Sequence, residues 1–165
     1  MATQQREDAI QLKEIIEEFS TAMLVTLTEN DMIRARPMQI ATSDGTDLLF
    51  VTGRHSGKVD EIVSHPGVGV TLQSASRWVS LSGKMAVVDD RQLIHKLWQE
   101  SWKVWFPKGK DDPEITLLRL DSGQGEYWDN AGSKGVSLWL EMGRAYLSGD
   151  QANVPKSNHG KVELR

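Results

Sequence analysis

At 165 residues with a net charge of −4 and no cysteine, the chain is the size of one domain. That excludes disulfides, thiolate metal sites and cysteine nucleophiles, and it disfavours non-specific binding of nucleic acid by the whole surface. The polar, mixed-charge N-terminus carries no apolar signal-like run, and no apolar stretch nears the roughly 20 residues of a membrane helix; the expectation is a cytoplasmic protein.

Ile10, Leu12, Ile15, Ile16 and Phe19 recur at helical spacing, with Glu14, Glu17 and Glu18 opposite. Residues 22–28 are apolar and β-branched and read as a strand. A turn over 29–31 leads into a second strand, 32–41. Pro37 lies inside it and lacks a ladder N–H, so this strand is an edge or is bulged there. Asp44-Gly45 marks a tight turn before a third strand, 48–52. A short helix follows over 59–64, with Val59, Ile62 and Val63 facing inward, and His65-Pro66-Gly67 stops it.

Residues 68–72 and 78–88 read as two further strands. Asp89 and Asp90 can cap a helix carrying Leu93, Ile94, Leu97 and Trp98. Residues 102–112 read as a loop. Two last strands are expected over 115–120 and 125–130, and residues 132–146 suit an amphipathic helix. The domain is expected to span 1–148, with a polar, mobile tail over 149–165. Most connections between successive strands are too short for a parallel crossover. The expected class is therefore mainly β, a small antiparallel barrel or sandwich with peripheral helices.

Two basic clusters carry the chemistry. Arg34 and Arg36 stand two apart, so in a strand both guanidinium groups share a face. They suit a phosphate, which accepts bidentate hydrogen bonds from arginine, and equally suit solvent-facing charges. The second cluster, Thr52-Gly53-Arg54-His55-Ser56-Gly57-Lys58, sits between a strand and a helix. Hydroxyls, free backbone N–H groups and a lysine at a helix start make an anion cradle, or an ordinary helix cap. It lacks the GxxxxGK[ST] spacing of a Walker loop. Trp98, Trp102, Trp105 and Phe106 fall within nine residues, and Trp128 follows; they suit core packing or stacking on a flat ligand. The four histidines have no metal-like spacing, and no Gly-x-Ser-x-Gly elbow exists. Chemistry carried by a bound cofactor, or none, fits these absences.

The run Arg34-Ala35-Arg36-Pro37-Met38, then Leu49-Phe50-Val51-Thr52 with Ser56-x-Lys58, then His65-Pro66-Gly67-Val68, resembles the FMN-binding split-barrel superfamily, which includes pyridoxamine 5'-phosphate oxidase. Trp105-Phe106-Pro107-x-Gly109, Asp112-Pro113 and Glu126-Tyr127-Trp128-Asp129 resemble its general stress protein 26 group. The resemblance implies a six-stranded antiparallel split β-barrel and a homodimer with FMN in clefts between the two copies. It implies that Arg36 and Lys58 bind the FMN phosphate, assisted by Ser56 and the Gly57 backbone. Thr52 would sit by the ribityl chain or ring, Pro37 and Met38 along the isoalloxazine edge, and Gln73 would offer a polar contact. Trp128 would cover the ring from the second subunit, with Trp105 and Phe106 lining the same cleft. The Arg-Leu-His-Asp-Arg signature of the oxidase is absent after Trp128, so oxidation of pyridoxamine phosphate is not expected. The implied function is a flavin-dependent oxidoreductase linked to stress, or a non-catalytic flavin sensor or carrier.

Overall fold

The computed structural model describes residues 2–149 and 159–164. In chain order it has α1 (Ala2–Ile16), β1 (Thr21–Leu27), β2 (Ile33–Asp44), β3 (Asp47–Gly53), α2 (Gly57–Ser64), β4 (Gly67–Gln73) and β5 (Arg77–Val88). There follow α3 (Arg91–Leu97), a 3-10 turn over Glu100–Val104, β6 (Ile115–Asp129), α4 (Gly132–Ser148) and β7 (His159–Glu163). No described helix is long and apolar enough to cross a membrane.

All strand pairs are antiparallel, in the order β3-β2-β1-β4-β5-β6-β7, and a further β3–β6 pairing closes six strands into a barrel. Alternation of buried and exposed positions along β1 and β4 sends Leu24, Val70 and Leu72 inward. With Phe50, Leu81, Leu118 and Leu120 they form the barrel core, onto which α1 packs Leu12, Ile15 and Ile16. Ile10, read from the sequence as part of that apolar face, is instead exposed. A second core lies under α3 and the 3-10 turn: Val51, Ile94, Trp102, Phe106, Ile115 and Leu117. Residues 102–112, expected as a loop, thus begin inside that turn, with Trp102 fully buried. The Asp90 carboxylate accepts from the Leu93 N–H and starts α3, as its sequence position suggests.

Where two strands were expected over 115–130 there is one, β6. The glycine-rich stretch 122–125 hides its continuity, because glycine carries no side chain to mark the period. Opposite this stretch the register with β5 shifts between Ser82 and Gly83. A Cβ on Gly83 would stand 2.1 Å from the Asp121 carbonyl oxygen, so the bulge admits only glycine.

The chain after Gly149, expected as a mobile tail, returns to the sheet as β7, which pairs with residues 124–128 of β6. Val162 is buried, and the Gly160 backbone lies flat against the Tyr127 ring, leaving no room for a Cβ. Alternation within five residues is too short a signal to separate a strand from a polar tail. The rest of the expected tail, residues 150–158 and 165, lies outside the described residues.

The feature that positions the site is a split in the barrel wall. Residues 33–39 of β2 pair with β1, and residues 40–44 pair with β3. From Ile40 backwards the β3 side of β2 is open, and Pro37 sits in this stretch, where the missing N–H breaks no ladder.

Candidate functional site

A cleft of about 700 Å³ fills the gap between β2 and β3, within the size range of small-molecule sites. One end is polar. Lys58, in the first turn of α2, donates from Nζ to Thr52 Oγ1 at 3.0 Å. The Thr52 hydroxyl lies 3.4 Å from that of Ser56. Ser56 occupies the N-cap position of α2 but makes no side-chain cap bond, so its hydroxyl faces Thr52 instead of closing the helix end. Gly57, which opens α2, has no heavy atom in the way of a Cβ.

Arg36 enters the same end from β2. Its Nη1 donates to Thr26 Oγ1 at 2.7 Å and its Nη2 to Glu61 Oε2 at 2.9 Å. The Thr26 hydroxyl donates to Glu61 Oε2 at 2.6 Å, and Arg34 Nη1 to Glu61 Oε1 at 3.0 Å. Glu61 is buried, at 8% exposure. Burial works against its charge, but Thr26, Arg36 and Arg34 outweigh that cost and hold the carboxyl below the usual glutamate range. The two same-face arginines therefore already share one anion, supplied by α2.

Arg34 and Arg36 pair with this one carboxylate, and Lys58 stands beside it on Thr52, so positive charge is in excess next to the cleft end. Lys58 registers the excess. Partial burial and the Arg36 charge hold its ammonium below the usual lysine range, while Glu61 pulls the other way. An anion between Arg36 and Lys58 would relieve this repulsion and accept hydrogen bonds from both.

The opposite wall is apolar: Pro37, Met38, Val51, Trp105 and Phe106. Met38, Val51 and Phe106 are buried, whereas Trp105 is 58% exposed and forms the outer lip. Of the residues read from the sequence, Arg36, Pro37, Met38, Thr52, Lys58, Trp105 and Phe106 line the cleft. Arg34, Ser56 and Gly57 do not: Arg34 is tied to Glu61, and Ser56 and Gly57 lie next to the lining residues Thr52 and Lys58. His55, next to the cradle, is turned to Glu114, with Nδ1 at 2.8 Å from the carboxylate.

Gln73 and Trp128 do not line the cleft of their own chain. Strand register explains where they lie. Gln39 pairs with Thr21, Gln73 with Trp78, Trp78 with Trp128, and Trp128 with His159. The β1–β4 register, Met23 opposite Thr71, continued by two residues, sets Thr21 against Gln73. All six residues thus fall in one row on one face of the sheet. Thr21 and Gln39, at one end, line the cleft; Trp128 stands three strands from Thr21, roughly 14 Å along the sheet.

Comparison with known proteins decides the family. The family model described as pyridoxamine 5'-phosphate oxidase like matches residues 7–153. The chain belongs to this family. Protein bli-3 of Neurospora crassa is 29% identical over 133 residues, covering 74% of this chain and 63% of that protein. The chain spans about three fifths of the length of the curated relatives it matches. Among solved structures, the general stress FMN/FAD binding protein of Xanthomonas citri is 26% identical, with a TM-score of 0.64 over 75% of this chain and 92% of that one. General stress protein 26 of Bacillus anthracis is 25% identical, with a TM-score of 0.66 over 72% and 92%. The fold of the family member described here is the split barrel that the resemblance implied.

Glu61, Thr26, Thr21, Gln39 and Val51 were not singled out by sequence reasoning. Glu61 left one signal: two arginines on one strand face need an anion, and a carboxylate on the next helix can supply it as well as a ligand can.

Proposed function

We propose that this protein binds FMN in the β2–β3 cleft as a homodimer and acts as a flavin-dependent oxidoreductase. The observation that carries the reading is the polarity of the cleft. It has a positive, hydroxyl-lined end at Arg36, Lys58 and Thr52, and an apolar wall at Pro37, Met38, Trp105 and Phe106. A phosphate monoester is close to a dianion at neutral pH and can accept from both Arg36 and Lys58; a flat heterocycle matches the apolar wall. The relative from Xanthomonas citri, described as FMN/FAD binding, supports the same choice.

In this reading Arg36 and Lys58 bind the phosphate, with the Ser56 hydroxyl and the Gly57 N–H at the start of α2 adding donors. Thr52, whose hydroxyl accepts from Lys58, fixes the ammonium at the cleft end and faces the ribityl chain. Pro37 and Met38 orient the ring edge, and Trp105 with Phe106 keeps water from it. The flavin, when bound, supplies hydride or electron transfer.

A second copy completes the site. The outward face of β1, β2 and β4 carries Met23, Ile33, Ala35, Pro37 and Gly69, a run of small and apolar residues. Met23 and Ile33 are 39% and 74% exposed. A two-fold axis lying in the plane of this face, perpendicular to the cross-strand row, would exchange the two ends of the row and carry Trp128 of each copy toward the other's cleft.

The second reading, a flavin sensor or carrier, is favoured by one observation. No carboxylate or imidazole among the described residues lines the cleft, and its one lysine stands at the end assigned to the phosphate. Absorption spectroscopy after FMN loading tests binding: flavin bands retained through desalting support it, and their loss overturns both readings. Sustained NAD(P)H oxidation by loaded protein with an added acceptor supports the enzyme. Retained flavin without turnover selects the carrier.

A further inference from the structure

We propose that His159 is a positioning residue that, with Glu126, sets the plane of the Trp128 indole so that it can lie flat on the flavin of a second copy. The inference rests on the reading that Trp128 faces the cleft of that copy.

Three side chains on the outward face of β6 and β7 make one unit. The His159 ring stacks on the Trp128 indole, with centroids 5.1 Å apart and planes 16° from parallel. Its Nε2 lies 2.7 Å from Glu126 Oε1. Glu126 and Trp128 are two apart on β6 and share a face, and His159 is the register partner of Trp128 on β7. The imidazole is thus fixed at one edge by a carboxylate and lies on the indole with its face.

This arrangement does something that packing alone does not require. Trp128 is 37% exposed and His159 is exposed too, so the pair fills no core. An exposed indole on a strand ordinarily samples several χ1 and χ2 wells. The imidazole closes one face of it, and no described aromatic ring stacks on the other. Trp78, opposite on β5, flanks it along the row. The unstacked face is the one that remains for a flat ligand, and two rings arranged in advance lose less entropy when a third is added. The strand that brings His159 here is β7, whose presence on β6 is otherwise unconnected with the cleft.

A stacked indole quenches flavin emission, so the emission yield and lifetime of bound FMN at saturation report the indole's position. Trp128→Leu is expected to raise both. His159→Ala is expected to raise both as well, in proportion to the lost population of the stacked indole, about 2- to 10-fold for one aromatic pair. His159→Phe keeps an aromatic face and is expected to restore the quenching. Glu126→Ala, which frees the imidazole and keeps the strand pairing, is expected to fall between and supplies the answer should His159→Ala fail to fold. Wild-type emission and lifetime in both His159→Ala and Glu126→Ala, with Trp128→Leu raised, would overturn the role of His159 and leave the shared cleft standing. No rise in Trp128→Leu while FMN stays bound would overturn both.

Discussion

Arg36 and Glu61 form an ion pair of 2.9 Å at the back of the cleft, with the Arg36 side chain 19% exposed and that of Glu61 9%. The cation expected to bind phosphate is therefore held in place before any ligand arrives. Removing the anion should cost more than the pair itself contributes, because two guanidinium groups and a buried hydroxyl lose their partner. Glu61→Ala is expected to lower stability by about 2–4 kcal/mol, read from the urea midpoint at constant m. A loss under about 0.5 kcal/mol would show that water replaces the carboxylate without penalty.

The same carboxylate sets an acid limit. Its folded pKa lies below the usual value of 4.5, so its contribution is fully present above that value and is lost as pH falls through the lower, folded one. Wild-type stability should therefore fall more steeply below pH 4.5 than that of Glu61→Gln. Parallel pH curves for the two proteins would count against this.

Lys58 should show opposite effects in apo and loaded protein. Its depressed folded pKa means that the unfolded chain binds the proton more tightly. Apo stability should rise as pH climbs from the depressed value toward the usual 10.5. Lys58→Ala should leave the apo melting temperature equal or higher, yet weaken FMN binding by about 1.5–3 kcal/mol, one charged hydrogen bond. Calorimetric titration checks it; unchanged affinity would remove Lys58 from the site.

Ile33 tests the second copy. At 74% exposure it supports nothing inside its own barrel. Ile33→Asp should fold normally, run as a monomer in light scattering, and hold FMN less tightly. A dimer of unchanged mass would place the contact elsewhere.

Gly160 tests β7. A Cβ there would stand 2.4 Å from Tyr127 Cε1, whose ring is held by its hydroxyl, 3.1 Å from both Asp8 Oδ1 and Gln11 Oε1 and able to donate to either. Gly160→Ala should cost about 1–3 kcal/mol and raise amide exchange along residues 159–163. Unchanged exchange would mean that the ring yields.

The barrel was legible because β1 is an apolar, β-branched run, β5 alternates, and the turns between β1, β2 and β3 are short. The polar end of the cleft was legible for a local reason: Thr52, Ser56 and Lys58 lie within seven residues, across one strand-to-helix turn. What the sequence hid depends on distance. Glu61 looks like a solvent-side helix residue until β2 folds over it, 25 positions from Arg36. Thr21 and Gln39 become cleft residues only because β2 changes partner at Ile40. Trp128 reads as a cleft residue by resemblance, yet its own chain places it three strands away.

The long strand β6 has a divided edge: β3 covers its first half and β7 its second. Without β7, the backbone N–H and C=O groups over 124–128 would lie open at a barrel rim, an invitation to any extended segment nearby. β7 thus works as a selvedge, finishing a stretch of cloth that the closed barrel leaves raw. A chain cut after Gly149 would keep every cleft-lining residue, and its characteristic failure would be fibres or swapped strands rather than loss of the cleft.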